Sequence, residues 1–412
     1  MVRIRNDVSY SCLSCGLSVV NAGHGNPMRV LLVNHEACYL GSEQSLETLA
    51  LGLRGTHCQH TVVLPYRGVL TERLEAAGIA VDLLPLWTWR WWHRSAAERL
   101  KFLLLSPLQS RGVLNALNYF RRAKPDLIHF NSNLAIEPVI AAQLARIPHI
   151  IHFRDLPERV GGNFIFGKQA FLKIMGRAPV AIANSHTTAA SLRGLIPSRI
   201  ETVPNALDLT TFDARLGEPL PNGFPAAGKA RLHVATIGSL NNWKRQEVFI
   251  EAALQICRQR DDVAFYVVGG VASPEYAASL KQLAAPAGDR IRFLGQVDAV
   301  PALLNSLDVL VHPSGRESFG RVFIEAMAAS VAIVAAEGGA AREVIIDEAT
   351  GLLVPNGDVP QTAQAINTLL NDPALRARLG QEGRRRVEQV YAVDKHCAAV
   401  LACYDRLHAE AT

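Results

Sequence analysis

The sequence predicts an α/β protein of two domains in tandem, each a parallel sheet covered by helices. Three observations carry that expectation. At 412 residues the chain exceeds one ordinary domain. Short apolar runs alternate with longer stretches of helical period along most of its length. Near the middle, Leu216-Gly217-Glu218-Pro219-Leu220-Pro221-Asn222-Gly223-Phe224-Pro225 breaks that alternation with the composition of a linker.

The opening stretch, 1–27, is poorly patterned and lacks the apolar core of a signal peptide, so it reads as a loose extension with Met28 as a natural start. Strands are then expected at 30–34, 61–64, 80–84, 127–130, 149–153, 180–183 and 201–203, with a helix over about 42–54. Runs this apolar are buried on both faces, as parallel strands are. A first domain thus covers 28–210. The second series has strands at 232–237, 264–268, 291–294, 309–312 and 332–335, with helices near 245–260 and 319–330, and fills 231–385. The stretch 361–408 reads as helical throughout, and 386–412 is expected to pack back on the first domain. Two open α/β domains place their ligand where the carboxyl ends of the strands face each other.

Composition narrows the class. Hydrophobic residues at 49% and charged residues at 19% describe a folded globular chain. No run of eighteen apolar residues is present, so no spanning helix is expected. Residues 1–204 hold 22 Lys+Arg against 13 Asp+Glu, whereas 205–412 hold 20 against 24. A basic first half points to an anionic partner there, although a solvated basic face explains the same imbalance. Seven scattered cysteines suit a reducing cytoplasm, and the Cys12–Cys15 pair lacks the second pair that a zinc site needs.

The densest chemical signal is His312-Pro-Ser-Gly-Arg-Glu-Ser-Phe-Gly-Arg-Val-Phe-Ile-Glu-Ala-Met-Ala-Ala, followed by Gly338-Gly339 and Glu343. A strand ends at His312 and a loop with two glycines crosses to a helix start. Free amides there, with the positive end of the helix dipole, suit a pyrophosphate. The carboxylates of Glu317 and Glu325 suit vicinal sugar hydroxyls. Helix capping by Glu317 and a solvated Glu325 is the competing reading.

These residues resemble the signature of glycosyltransferase family 4. So do Ile237-Gly238 with Lys244, Val268-Gly269, Phe293-Leu294-Gly295, Val203-Pro204-Asn205 with Asp208, and Gly351-Leu352-Leu353-Val354. Looser matches are Gly41-Ser42-Glu43, Pro125-Asp126-Leu127-Ile128-His129 and Asn184-Ser185, so the likeness covers about 30–408. The resemblance implies a GT-B fold, two Rossmann-like domains facing across a cleft, and a retaining glycosyltransferase of the hexosyltransferase type. It implies that Glu325 holds the nucleotide ribose and that Glu317 meets the donor sugar. Amides of Ser318, Phe319 and Gly320 then lie against sugar and phosphate, and Lys244 neutralises the diphosphate. Gly238 and Gly269 belong to the donor side, and Gly41, Ser42, Arg154 and Asn205 to the acceptor side. His129 is carried as a catalytic candidate, with a buried, satisfied ring as the alternative for it and for His152. The family's Arg after Gly238 is Ser239 here, so a second cation on the diphosphate is absent or comes from Arg245 or Arg316. Arg245 also stands where a Gly is usual.

No D-x-D or His cluster with ligand spacing occurs, so no metal and no cofactor beyond the sugar-nucleotide donor is expected. Four of five tryptophans fall in 87–92, and Trp89, Arg90, Trp91, Trp92 and Arg94 open a basic, amphipathic stretch. Such a stretch suits docking on the inner face of an anionic membrane beside a lipid-linked or glycan acceptor. Packing of these rings on the first domain is the alternative. No nucleic-acid motif accompanies them. The resulting expectation is transfer of a sugar to a hydroxyl acceptor in envelope or exopolysaccharide synthesis. A nucleotide-sugar epimerase, a phosphorylase and a non-catalytic nucleotide-sugar-binding protein are the readings it competes with.

Overall fold

A computed structural model describes residues 27–86, 90–91, 111–159, 163–164, 167–224 and 232–411. In the first half the strands are β1 (Met28–Val33), β2 (Cys58–Leu64), β3 (Val81–Leu83), β4 (Arg90–Trp91), β5 (Leu127–Phe130), β6 (His149–Phe153), β7 (Asn163–Phe164), β8 (Val180–Ala183) and β9 (Arg199–Thr202). The second half adds β10 (Leu232–Ile237), β11 (Val263–Val268), β12 (Ile291–Gly295), β13 (Val309–His312), β14 (Ala332–Ala336) and β15 (Leu352–Val354). One sheet has the order β3-β2-β1-β5-β6-β8-β9 and the other β12-β11-β10-β13-β14-β15. All neighbours in both are parallel. The short β4 and β7 form a separate antiparallel pair.

Alternation along each strand explains the layering. In β1, Leu31 and Val33 enter one core while Val30 and Leu32 enter the core on the opposite face. That second face is covered by the helix Gly41–Gly52 and by the last helix, Val393–Ala411, whose Cys397, Val400, Cys403, Tyr404 and Leu407 join it. The chain end is therefore built into the first domain's core.

The helical end is broken twice. Asp372 stops Val359–Asn371 and caps Pro373–Val390, its Oδ1 accepting from Leu375 N at 2.8 Å. A second break falls at Tyr391 and Ala392, where Leu207 N donates to Tyr391 O at 2.9 Å. An unbroken helix over 361–408 is thus corrected: the caps and the return to the first domain interrupt the period.

His129 is also corrected. Its strand alternation turns it toward the last helix, where it is fully buried, 2.6 Å from Tyr404 Oη and 3.3 Å from His152 Nδ1. His152 stacks on His396, whose Nδ1 lies 2.6 Å from the Pro204 carbonyl. A ring enclosed in this way cannot touch a substrate, so His129 serves the core.

Burial, and then the nearby Arg154 cation, holds His129 and His152 well below the ordinary value of 6.5 and His396 at about 4. The unfolded chain therefore takes up protons first on acidification. Stability from this cluster is full above about pH 6.5 and falls as the pH drops toward about 4. Urea midpoints are expected to be lower at pH 5 than at pH 7.5, with a smaller drop in His396→Gln. Tyr404→Phe should cost about 1–3 kcal/mol at neutral pH, because it leaves a buried imidazole nitrogen without its partner.

Candidate active site

In the second sheet β10 and β13 are neighbours although β11 and β12 lie between them in sequence. The loops leaving their carboxyl ends must therefore meet, as loops do at a topological switch point. The loop after β10 carries Gly238, Ser239 and Lys244, and the loop after β13 carries Arg316, Glu317 and Ser318. Ser314 Oγ donates to the Trp243 carbonyl at 2.7 Å and joins the two. Lys244 Nζ then donates to Glu317 Oε1 at 2.7 Å, and His312 Nε2 lies 3.1 Å from the same oxygen. The lysine and carboxylate side chains are 19% and 7% exposed, so this pair sits at the inner end of an accessible surface.

Glycine shapes the backbone around the pair. A Cβ on Gly269 would overlap the Gly238 carbonyl, so the ends of β10 and β11 approach only without one. Gly339 has φ +52°, and a Cβ there would overlap the main chain of Glu317. Ala340 N donates to the Glu317 carbonyl at 2.8 Å and completes that seat. Gly320 precedes the helix Arg321–Ala328, which presents its first amides beside Glu317. The Phe319 ring is buried against Tyr391, leaving only its amide for a ligand.

The cations expected to stand in for the missing arginine divide differently. Arg245 adopts the left-handed backbone, φ +57°, and its Nε donates to Glu247 at 2.7 Å. Its guanidinium is thereby drawn away from Lys244 and Glu317. Arg316 is exposed on the rim. Arg321, absent from the sequence-based expectation, pairs with Glu325 at 3.4 Å.

Across the cleft the residues expected on the acceptor side lie in a buried polar network. Asn34 Nδ2 donates to Glu43, and Asn131 Nδ2 donates to Asn34 Oδ1 and to the Ser42 carbonyl. Arg154 donates to Asn131 Oδ1 through Nε and Nη2, at 2.9 and 2.6 Å, and through Nη1 to Asn205 Oδ1 at 2.6 Å. Burial, and then the neighbouring Arg321 cation, lowers the Arg154 guanidinium to about 9. Arg154 and Asn205 thus brace the cleft floor, and the Ser42 hydroxyl is taken by Glu43 at 2.7 Å. Gly41 faces Arg321, whose Cδ would lie 3.6 Å from a Cβ added there.

The two halves are tied across the cleft. Ser318 Oγ donates to the Arg154 carbonyl at 2.7 Å. Glu343 accepts from the amides of His186 and Thr187 at 2.7 and 2.6 Å, and from the Thr187 hydroxyl. Glu343 is therefore an interdomain cap. Of the tryptophan segment, Arg90 and Trp91 lie in β4, while Trp89, Trp92 and Arg94 fall outside the described residues. Among the described residues no group of three His, Cys, Asp or Glu could hold a metal ion.

Known proteins resemble this chain in sequence and in fold. The sequence profile for Glycosyltransferase Family 4 matches residues 40–211, and that for Glycosyl transferases group 1 matches residues 225–386. A lipopolysaccharide core biosynthesis mannosyltransferase, LpcC of Rhizobium leguminosarum bv. viciae, is 28% identical over 67% of this chain and 76% of its own length. A D-inositol 3-phosphate glycosyltransferase of Salinispora tropica is 32% identical over 58% of this chain, which spans about half, 53%, of that relative. The fold is that of Anabaena HepE, solved with UDP and glucose. That match has a TM-score of 0.74, 23% identity, and covers 92% of this chain and 99% of HepE. With one profile on each domain and the loops of each meeting at the cleft, the chain belongs to glycosyltransferase family 4 and is a glycosyltransferase of the GT-B fold.

Proposed function

We propose that this enzyme moves a sugar, with retention of configuration, from a nucleotide-diphosphate sugar to a hydroxyl of a glycan or lipid-linked acceptor of the cell envelope. The observation that carries the reading is the Lys244–Glu317 pair at 2.7 Å, beside the start of the helix that bears Glu325. Glu325 takes the ribose, Glu317 the sugar hydroxyls, and Lys244 with the amides of Ser318–Gly320 the diphosphate. The named activity of one relative, in lipopolysaccharide core biosynthesis, supports an envelope acceptor.

Cleavage of the sugar–phosphate bond builds positive charge at the anomeric carbon and negative charge on the diphosphate. A fixed donor facing that charge is worth about 3–4 kcal/mol of barrier. The acceptor hydroxyl attacks from the face the diphosphate leaves, and a phosphate oxygen takes its proton. No protein nucleophile is then needed, unlike a retaining glycosidase with its carboxylate pair. The reaction as proposed runs without a metal ion. The basic tryptophan segment docks the enzyme on the inner face of the membrane. No described helix is long and apolar enough to cross a membrane.

Lys244→Ala and Glu317→Ala are each expected to lower nucleoside diphosphate release, with acceptor present, by about 100-fold or more while the thermal midpoint changes little. Turnover near wild type in either variant removes the assigned roles. A thermal-shift panel of UDP, GDP and ADP should show one cognate ligand raising the midpoint well above the others. Co-sedimentation with anionic liposomes at low salt should be lost when Trp89, Trp91 and Trp92 become Ala, and wild-type protein left in the supernatant removes the membrane role.

A further inference from the structure

Ser239 leaves the diphosphate side one cation short, and neither expected replacement restores it. Arg245 is engaged with Glu247 at 2.7 Å and Arg316 stands on the rim. Lys244 is matched at 2.7 Å by Glu317. Arg321 differs from these. It is the first residue of the helix Arg321–Ala328 and reaches out of the second domain toward the start of the helix Gly41–Gly52 in the first. Two helix N-termini and a guanidinium therefore converge on one space, an arrangement suited to an anion.

The present partners of Arg321 leave it capacity. Its Nη1 donates to Ser45 Oγ at 3.2 Å and to the Ala206 carbonyl at 3.4 Å, Nη2 lies 3.4 Å from Glu325, and Nε is buried without a partner. All three contacts are longer than a charge-assisted hydrogen bond of about 2.7–2.9 Å. The charge of Arg321 acts on that of Arg154, which is fixed on Asn131 and Asn205. An anion entering beside Gly41 would offset that repulsion as well as complete the donor set of Arg321.

We infer that Arg321 is the second cation on the departing diphosphate, taking the place that an arginine after Gly238 would fill. This rests on the donor reading above. In the transfer, the bond from the anomeric carbon to the phosphate oxygen breaks with its electron pair going to that oxygen. The acceptor oxygen bonds the carbon, and the acceptor proton ends on the diphosphate. Arg321 and Lys244 together hold the charge that builds there.

Calorimetric titration of the whole chain with the cognate nucleoside diphosphate, and separately with its nucleoside, tests the assignment. Arg321→Gln should weaken the diphosphate about tenfold or more and leave the nucleoside unchanged, and Arg321→Lys should keep most of the affinity. Adding Ser239→Arg to Arg321→Gln should restore it, a rescue that a merely structural Arg321 would not show. Equal losses for nucleoside and diphosphate, no loss for either, or no rescue by Ser239→Arg overturns the assignment. If the wild-type chain binds no nucleoside diphosphate while remaining folded, the donor reading itself fails.

Discussion

Parallel pairing constrains this molecule more than any single contact. A strand that runs parallel to its neighbour must be reached by a crossover, so all the connections that leave a sheet's carboxyl edge do so on one side. Where the order reverses, between β1 and β5 and again between β10 and β13, the departing loops have no helix between them. Asn34 and Asn131 meet at the first reversal, and Lys244 and Glu317 at the second. The chemistry of both halves is therefore gathered by topology before any side chain contributes.

Charge is then used in pairs. Lys244 with Glu317, Arg245 with Glu247, and Arg321 with Glu325 each place a cation beside a carboxylate. Partly buried pairs of this kind contribute little to stability, because desolvation offsets most of their attraction. Their value lies in position. A carboxylate held by a lysine keeps a defined orientation, and a lysine held by a carboxylate stays extended. Arg154 is the exception, a buried cation held by neutral asparagine oxygens, with its pKa lowered to about 9 by burial and then by the Arg321 charge.

Much of this was legible in the sequence. Apolar runs identified every strand of both sheets except the short edge strand β15, and the spacing from Glu317 to Glu325, with the glycines around it, identified the helix start and its loop. Lys244 was readable only through its resemblance to a known motif. What escaped depends on three-dimensional facing. His129 lies on a strand end that looks catalytic, yet alternation turns it toward a helix more than 260 residues further along the chain. Arg321 is one residue beyond the last glycine of the loop, and only the approach of Gly41 from the other domain gives it meaning. The breaks at Asp372 and Tyr391 hide inside a continuous helical period because each is made by a cap or a tertiary hydrogen bond.

The return of the last helix to the first domain means that the backbone passes between the halves twice. The two passages run side by side, joined by the Leu207–Tyr391 hydrogen bond and the parallel bridge from Leu207 to Ala392. A single tether would allow one half to swivel and slide over the other. Two adjacent tethers act as a door hinge, leaving one easy rotation that widens the cleft at its far rim and scarcely moves its floor. The capped amides of His186 and Thr187 then work as the bolt of that door, with Glu343 as its keeper.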